Sequence, residues 1–124
     1  MGSEAGTRVL RVERGVREEL AGMLADEVRD PGAAGAVVTR VAMSKDLRSA
    51  CVYVRLLEGG DDPGRRKVVV DALYRASGML RSELTRRLGL RFAPELRFVY
   101  DEGVDKSNRI EELLAEIEAE KRTR

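Results

Sequence analysis

The sequence predicts a single α+β domain in the order helix, strand, strand, helix with a break, strand, and three observations predict it. A chain of 124 residues is too short to close two cores, because small domains bury too little surface to offset chain entropy twice. Apolar residues recur at helical spacing in two long stretches and alternate at strand spacing in three short ones. The apolar fraction of 43% is enough for one core, while the 36% of charged residues keeps the rest in water.

The elements follow in order. Val9, Val12, Val16, Leu20, Leu24 and Val28 step by three and four and form one stripe of a first helix, which Pro31 and Gly32 stop. Val37, Thr39, Val41 and Met43 then share one face of a first strand, and Ala50, Val52, Val54 and Leu56 one face of a second. The polar link Ser44-Lys45-Asp46-Leu47-Arg48 is short enough to close them as an antiparallel hairpin. Asp62 and Pro63 have the chemistry of a helix cap and first position, and they open a long second helix with Val69, Leu73, Ala76, Leu80, Leu84 and Leu88 on its buried face. Gly89 is placed to end it in the left-handed conformation. Inside that helix Ala76-Ser77-Gly78 predicts a kink or break between two halves, since an interior glycine costs about 1 kcal/mol relative to alanine. After Pro94, Leu96, Phe98 and Tyr100 alternate with Arg97 and Val99 in a third strand. Ile110, Leu113, Leu114 and Ile117 suit a short last helix opened by a capping box of Asn108 and Glu111. The domain is expected over residues 8–101, and 102–124 as an acidic helix and tail, fraying at Glu120 and mobile at its end.

Charge is unevenly spread. The formal net charge is +1, yet residues 64–99 hold nine Lys or Arg against three acids. The segments on either side are each mildly acidic. A basic middle between acidic flanks is the pattern of a polyanion-facing surface. Aromatic residues make up only 4%, so contact with a nucleic acid is expected to lean on charge and backbone shape more than on stacking.

Several classes are disfavoured. The chain has no His and one Cys, Cys51, in an apolar run, so neither acid–base machinery nor a metal set is evident, and no cofactor or metal is expected. Adjacent acids such as Asp26-Glu27 and Asp61-Asp62 read as solvated surface. A lone buried Cys suits a reducing compartment, the cytoplasm, and no run of about 18 apolar residues suggests a membrane span.

The candidate RNA-binding residues lie in three places. Arg75, Arg81 and Arg86 avoid the apolar stripe of the second helix and point to solvent, where guanidinium groups can grip phosphates, and Arg87 is grouped with them. Ala76, Ser77 and Gly78 are small residues at which another backbone could approach, with N–H groups freed at a new helix start. Arg8 and Arg11 open a second basic stripe on the first helix, and Lys45 and Arg48 add cations in the hairpin.

Over roughly Arg8 to Leu114 the chain resembles the bacterial ribosome-binding factor A family. The pieces are Arg11-Val12, Asp30-Pro31, Val-Ala-Met-Ser-Lys-Asp-Leu at 41–47, Ala-Cys-Val-Tyr-Val at 50–54, Ala-Ser-Gly-Met-Leu-Arg at 76–81 and Pro-Glu-Leu-Arg-Phe-Val-Tyr-Asp at 94–101. Their joint order and spacing carry the resemblance. It implies a type II KH-like fold in which an Ala-x-Gly helix kink, here Ala76 and Gly78, replaces the usual Gly-x-x-Gly loop. It further implies a non-catalytic, monomeric factor that binds the small ribosomal subunit, assists late maturation of its ribosomal RNA, notably at the 5′ end, supports growth in the cold and is released with the help of a ribosome-associated GTPase. Two other readings stay open on the residues alone: a general single-stranded RNA-binding KH-like protein, and an interaction module that docks a partner on the apolar face of the last helix, Ile110 to Ile117.

Overall fold

The computed structural model describes the backbone of residues 3–103 and 107–122 and the side chains of 6–103 and 113–121. Three helices and three strands alternate as the apolar periodicities predict: α1 (Ser3–Asp26), β1 (Ala36–Met43), β2 (Ser49–Leu56), α2 (Pro63–Leu88), β3 (Glu95–Tyr100) and α3 (Ser107–Arg122), with a short 3-10 turn at Pro31–Ala33. The sheet order is β1-β2-β3. β1 pairs antiparallel with β2 through the hairpin, whereas β3 joins the other edge of β2 in parallel after the α2 crossover. A parallel neighbour needs such a crossover, and α2 supplies it.

One face of the sheet carries α1 and α2. Val16, Leu20 and Met23 of α1, Val69, Leu73, Leu80 and Leu84 of α2 and Ala50, Val52 and Val54 of β2 form one buried cluster. The expected stripes therefore do face the core, although α1 ends at Asp26 and Val28 packs from beyond it. On the opposite face Cys51 and Tyr53 are wholly buried with Ala42, Val99, Leu113 and Leu114, so α3 covers the second side of β2. Cys51 is thus a core residue, as its apolar run suggests.

Caps fix the ends of α2. The Asp62 carboxylate accepts from the Gly64 N–H at 2.9 Å, with Pro63 in the first position. Gly89 is left-handed at φ 61°, and its N–H bonds back to the Thr85 carbonyl, a geometry in which any Cβ would be strained.

Three expectations are corrected. First, β1 does not keep one face. Its register shifts between Val38 and Arg40, so Thr39 is an extra residue; Ala36 and Val38 face the main core before it, Val41 and Met43 after it. Such a bulge breaks the period of two, and here the Thr39 hydroxyl donates to Asp101 at 2.6 Å. Second, α2 runs as one continuous helix through Ala76-Ser77-Gly78, so no break divides it into two helices. Ser77 only bonds back to the Tyr74 carbonyl at 2.8 Å, and no new helix start presents free N–H groups there. Burial of Leu80 and Leu84, at about 2 kcal/mol each, outweighs the propensity cost of Gly78. Third, α3 begins at Ser107, so Asn108 lies inside the helix, and the side chains of Asn108, Ile110 and Glu111 fall outside the described residues. The end of α3 contacts the sheet and the hairpin. Glu120 pairs with Arg97, and the Lys121 ammonium donates to the Arg48 carbonyl at 2.9 Å and to Ser49 Oγ at 2.8 Å.

Candidate nucleic-acid interface

The hairpin that carries Lys45 and Arg48 is held by its own polar residues. Ser44 Oγ donates to Asp46 at 2.7 Å, the Arg48 N–H donates to the same carboxylate oxygen at 3.0 Å, and Leu47 takes φ 63° to complete the turn. Burial works against the Asp46 carboxylate, but these hydrogen bonds with the nearby Lys121 and Arg48 charges hold its pKa below the usual value. Asp46 is consequently occupied within its turn.

The crossing of α1 over the sheet decides which cations meet. Gly15 lets α1 approach closely, since a Cβ there would lie 3.0 Å from a Leu88 methyl. This brings Arg8 and Arg11 to the hairpin and to the segment after α2. Together they border a groove of about 540 Å³ lined by Arg8, Arg11, Arg48, Arg91 and Phe92, with Asp46 as the one acid among the described residues. Its apolar floor is Val12, Leu47, Leu88 and Leu90. The Arg48 guanidinium lies 4.1 Å from the Phe92 ring centre and that of Arg91 5.4 Å. Phe92 remains 44% exposed. Among the described residues no carboxylate makes an ion pair with any of these four arginines.

The cations of α2 fare differently. Arg87 bonds Glu27 at 2.6 Å, Glu83 at 3.0 Å and Glu19 at 3.3 Å, clamping α1 to α2. The Glu27 hydrogen bond, above all, raises the Arg87 pKa. Arg87 in turn lowers that of Glu27, while Arg86 and then Arg87 lower that of Glu83. Arg81 donates to the Pro94 and Ala93 carbonyls at 2.9 and 3.2 Å and anchors the start of β3. Arg75 pairs with Asp30 at 2.8 Å, a contact that lowers the Asp30 pKa with help from the Gly32 N–H. Arg86 pairs with Glu83 at 2.6 Å yet keeps its side chain 69% exposed. Arg87, read with Arg75, Arg81 and Arg86 as a cation that positions phosphates, is held by three glutamates.

Gly78, Arg81 and Arg86 border a shallower concavity of about 460 Å³ beside Ala93. The loop from Arg91 to Ala93 separates it from the groove. A Cβ on Gly78 would meet nothing within 4 Å, so no intramolecular contact requires glycine. Ala76 and Ser77 are half-buried, Lys45 is exposed but does not border the groove, and Arg14 and Arg17 are exposed further along α1. Arg91 falls in the basic segment 64–99 but is not among the candidate residues that the sequence singles out, and neither is Phe92. Only the tertiary approach of Arg48 distinguishes that ring from a core residue. No group of three or more potential metal ligands occurs among the described residues, and no helix there is long and apolar enough to cross a membrane.

Comparison with known proteins points one way. Residues 8–114 match the profile of ribosome-binding factor A. The chain is 48% identical over 110 residues to ribosome-binding factor A of Sorangium cellulosum, covering 89% of this chain and 88% of the relative. The crystal structure of ribosome-binding factor A from Thermus thermophilus is similar with a TM-score of 0.59 and 25% identity, over 81% of this chain and 98% of that one. A homology model of the Thermus thermophilus factor, fitted into a cryo-EM map of a 30S complex with the factor, matches with a TM-score of 0.52 and 29% identity, over 73% of this chain and 96% of that one.

Proposed function

The chain belongs to the ribosome-binding factor A family, and from that premise we propose that it is a ribosome assembly factor. It binds the small ribosomal subunit and assists late maturation and 5′-end processing of its ribosomal RNA, holding RNA in place without catalysing a reaction. The single observation that carries the RNA-binding part is the groove in which four arginines without ion-pair partners among the described residues gather from α1, the hairpin and the segment after α2. Phosphates are the natural counter-charges for such a set, because guanidinium forks match phosphate oxygens and each neutralised phosphate releases condensed cations. The Thermus thermophilus relative in its 30S complex supports the choice of target.

The finer reading is a type II KH-like domain that acts as a monomer in the cytoplasm, aids growth in the cold and leaves the subunit with the help of a ribosome-associated GTPase. The parallel pairing of β2 with β3 after a helical crossover supports the KH-like assignment. The open surface at Gly78 supports close approach of RNA to α2 at Ala76-Ser77-Gly78, with Arg75, Arg81 and Arg86 beside it. The alternative of a docking module on α3 is disfavoured, since Leu113, Leu114 and Ile117 are turned into the protein.

Co-sedimentation with isolated small and large subunits across a salt series tests the proposal. The wild type is expected to bind the small subunit selectively and more weakly as salt rises. An Arg8→Glu, Arg11→Glu, Arg48→Glu variant is expected to lose that binding while keeping its fold by circular dichroism. Salt-independent binding, equal binding to both subunits, or undiminished binding by the variant overturns the reading.

A further inference from the structure

We infer that the groove around Phe92 seats one unpaired RNA nucleotide, its base stacked on the Phe92–Arg48 pair and its phosphate held by Arg8 and Arg11. The inference rests on the proposed RNA-binding function and specifies what this part of the surface recognises.

The composition of the groove separates this occupant from a duplex backbone. A backbone held only through phosphates needs cations on a surface that follows the helix. This groove adds an apolar floor from Val12, Leu47, Leu88 and Leu90, which offers a phosphate nothing and a base a great deal. Its volume of about 540 Å³ lies within the range of about 300–1,000 Å³ common to small-ligand sites. Phe92 is 44% exposed and the Arg48 guanidinium carbon lies over its ring, 4.1 Å from the centre. That pair gives the groove a π surface that solvent still reaches. Unpaired bases stack on aromatic rings and on guanidinium planes, whereas bases inside an RNA duplex cannot reach either.

The supports come from independent elements. Asp46 sets the hairpin so that Arg48 meets Phe92, the left-handed Gly89 turns the chain out of α2 toward Arg91 and Phe92, and Gly15 allows Arg8 and Arg11 to close the third side. Nothing in the groove is suited to transferring a group or a proton, so the site is one of recognition.

The chain has no tryptophan, so Phe92→Trp installs a single tryptophan in the full-length protein, which excitation at the red edge of its absorption reads apart from the three tyrosines. Titration with a single-stranded RNA of about ten nucleotides is expected to quench it, and a duplex of the same length is not. In parallel, Phe92→Leu is expected to lower affinity for the single strand at least roughly five-fold, the low end of base–aromatic stacking, with the salt dependence unchanged. Equal quenching by duplex, binding of the single strand without quenching, or unchanged affinity of Phe92→Leu overturns the nucleotide seat. If the wild type ignores the single strand but still co-sediments with small subunits, the seat falls and the proposed function stands. If it does neither, both fall.

Discussion

Two arginine-rich regions lie within one turn of each other at the end of α2, and they serve opposite purposes. Around Arg87 each positive charge is matched: three glutamates, from α1, the turn after it and α2, surround one guanidinium whose side chain is 25% exposed. Around Phe92, among the described residues, four arginines face one carboxylate that is already committed to its own turn. The first arrangement joins two helices and leaves little field outside. The second leaves a concentrated positive potential that a polyanion can relieve. A count of basic residues along α2 therefore measures neither region, because the partners of each charge decide what remains available.

The sharpest way to break this contrast is charge reversal on each side. Replacing Arg11 and Arg91 with Glu is expected to reduce small-subunit binding more than 100-fold at moderate salt, the scale of removing and then repelling two phosphate contacts, with little change in Tm. Arg87→Met is expected to do the reverse, lowering Tm by several degrees while the binding of the folded fraction stays near wild type. Parallel thermal denaturation and co-sedimentation check both, and a variant at Arg87 that keeps its Tm but loses binding would merge the two regions into one.

Single neutralisations sharpen the comparison further. Arg8→Gln and Arg11→Gln are each expected to lower affinity several-fold and to reduce the slope of log affinity against log salt by about one. Arg75→Gln is expected to change that slope less, because Asp30 already shares its charge. Fluorescence anisotropy across a salt series distinguishes them.

A smaller effect is expected at Gly78. Since an added methyl group meets nothing there, Gly78→Ala is expected to stabilise the protein by up to about 1 kcal/mol and to weaken small-subunit binding if RNA approaches the bare backbone. Stabilisation with unchanged binding would remove α2 from the contact surface and leave the groove alone.

The least effect concerns pH. Glu27 and Glu83 are held below their usual 4.5 by Arg87 and Arg86. Their contribution is therefore present above that value and is lost as pH falls through the lowered values. The stability gap between wild type and Arg87→Met is expected to be constant from pH 7 to about 5 and to narrow below 4.5. A gap that persists at pH 3 would mean that Arg87 acts by packing its stem rather than by charge.

Much of this fold is legible in the order of residues. The stripes from Val16 to Leu20 and from Leu73 to Leu84, the Asp62-Pro63 start and the Gly89 stop all depend on neighbours within a turn or two, and all appear where local chemistry puts them. The bulge at Thr39 was hidden because its hydroxyl is bound by Asp101, a residue far away in sequence, and the uninterrupted path of α2 through Gly78 depends on the core beneath it. The same distinction holds for the interface. Sequence alone determined that the middle of the chain is basic and that Cys51 is core, because composition and periodicity are local properties. Only the tertiary structure decided which arginines are bound by glutamates and which gather around Phe92. Those contacts join α1, the hairpin and the end of α2 across dozens of residues, and electrostatic compensation depends on distances in space, which the spacing of charges along a chain does not encode.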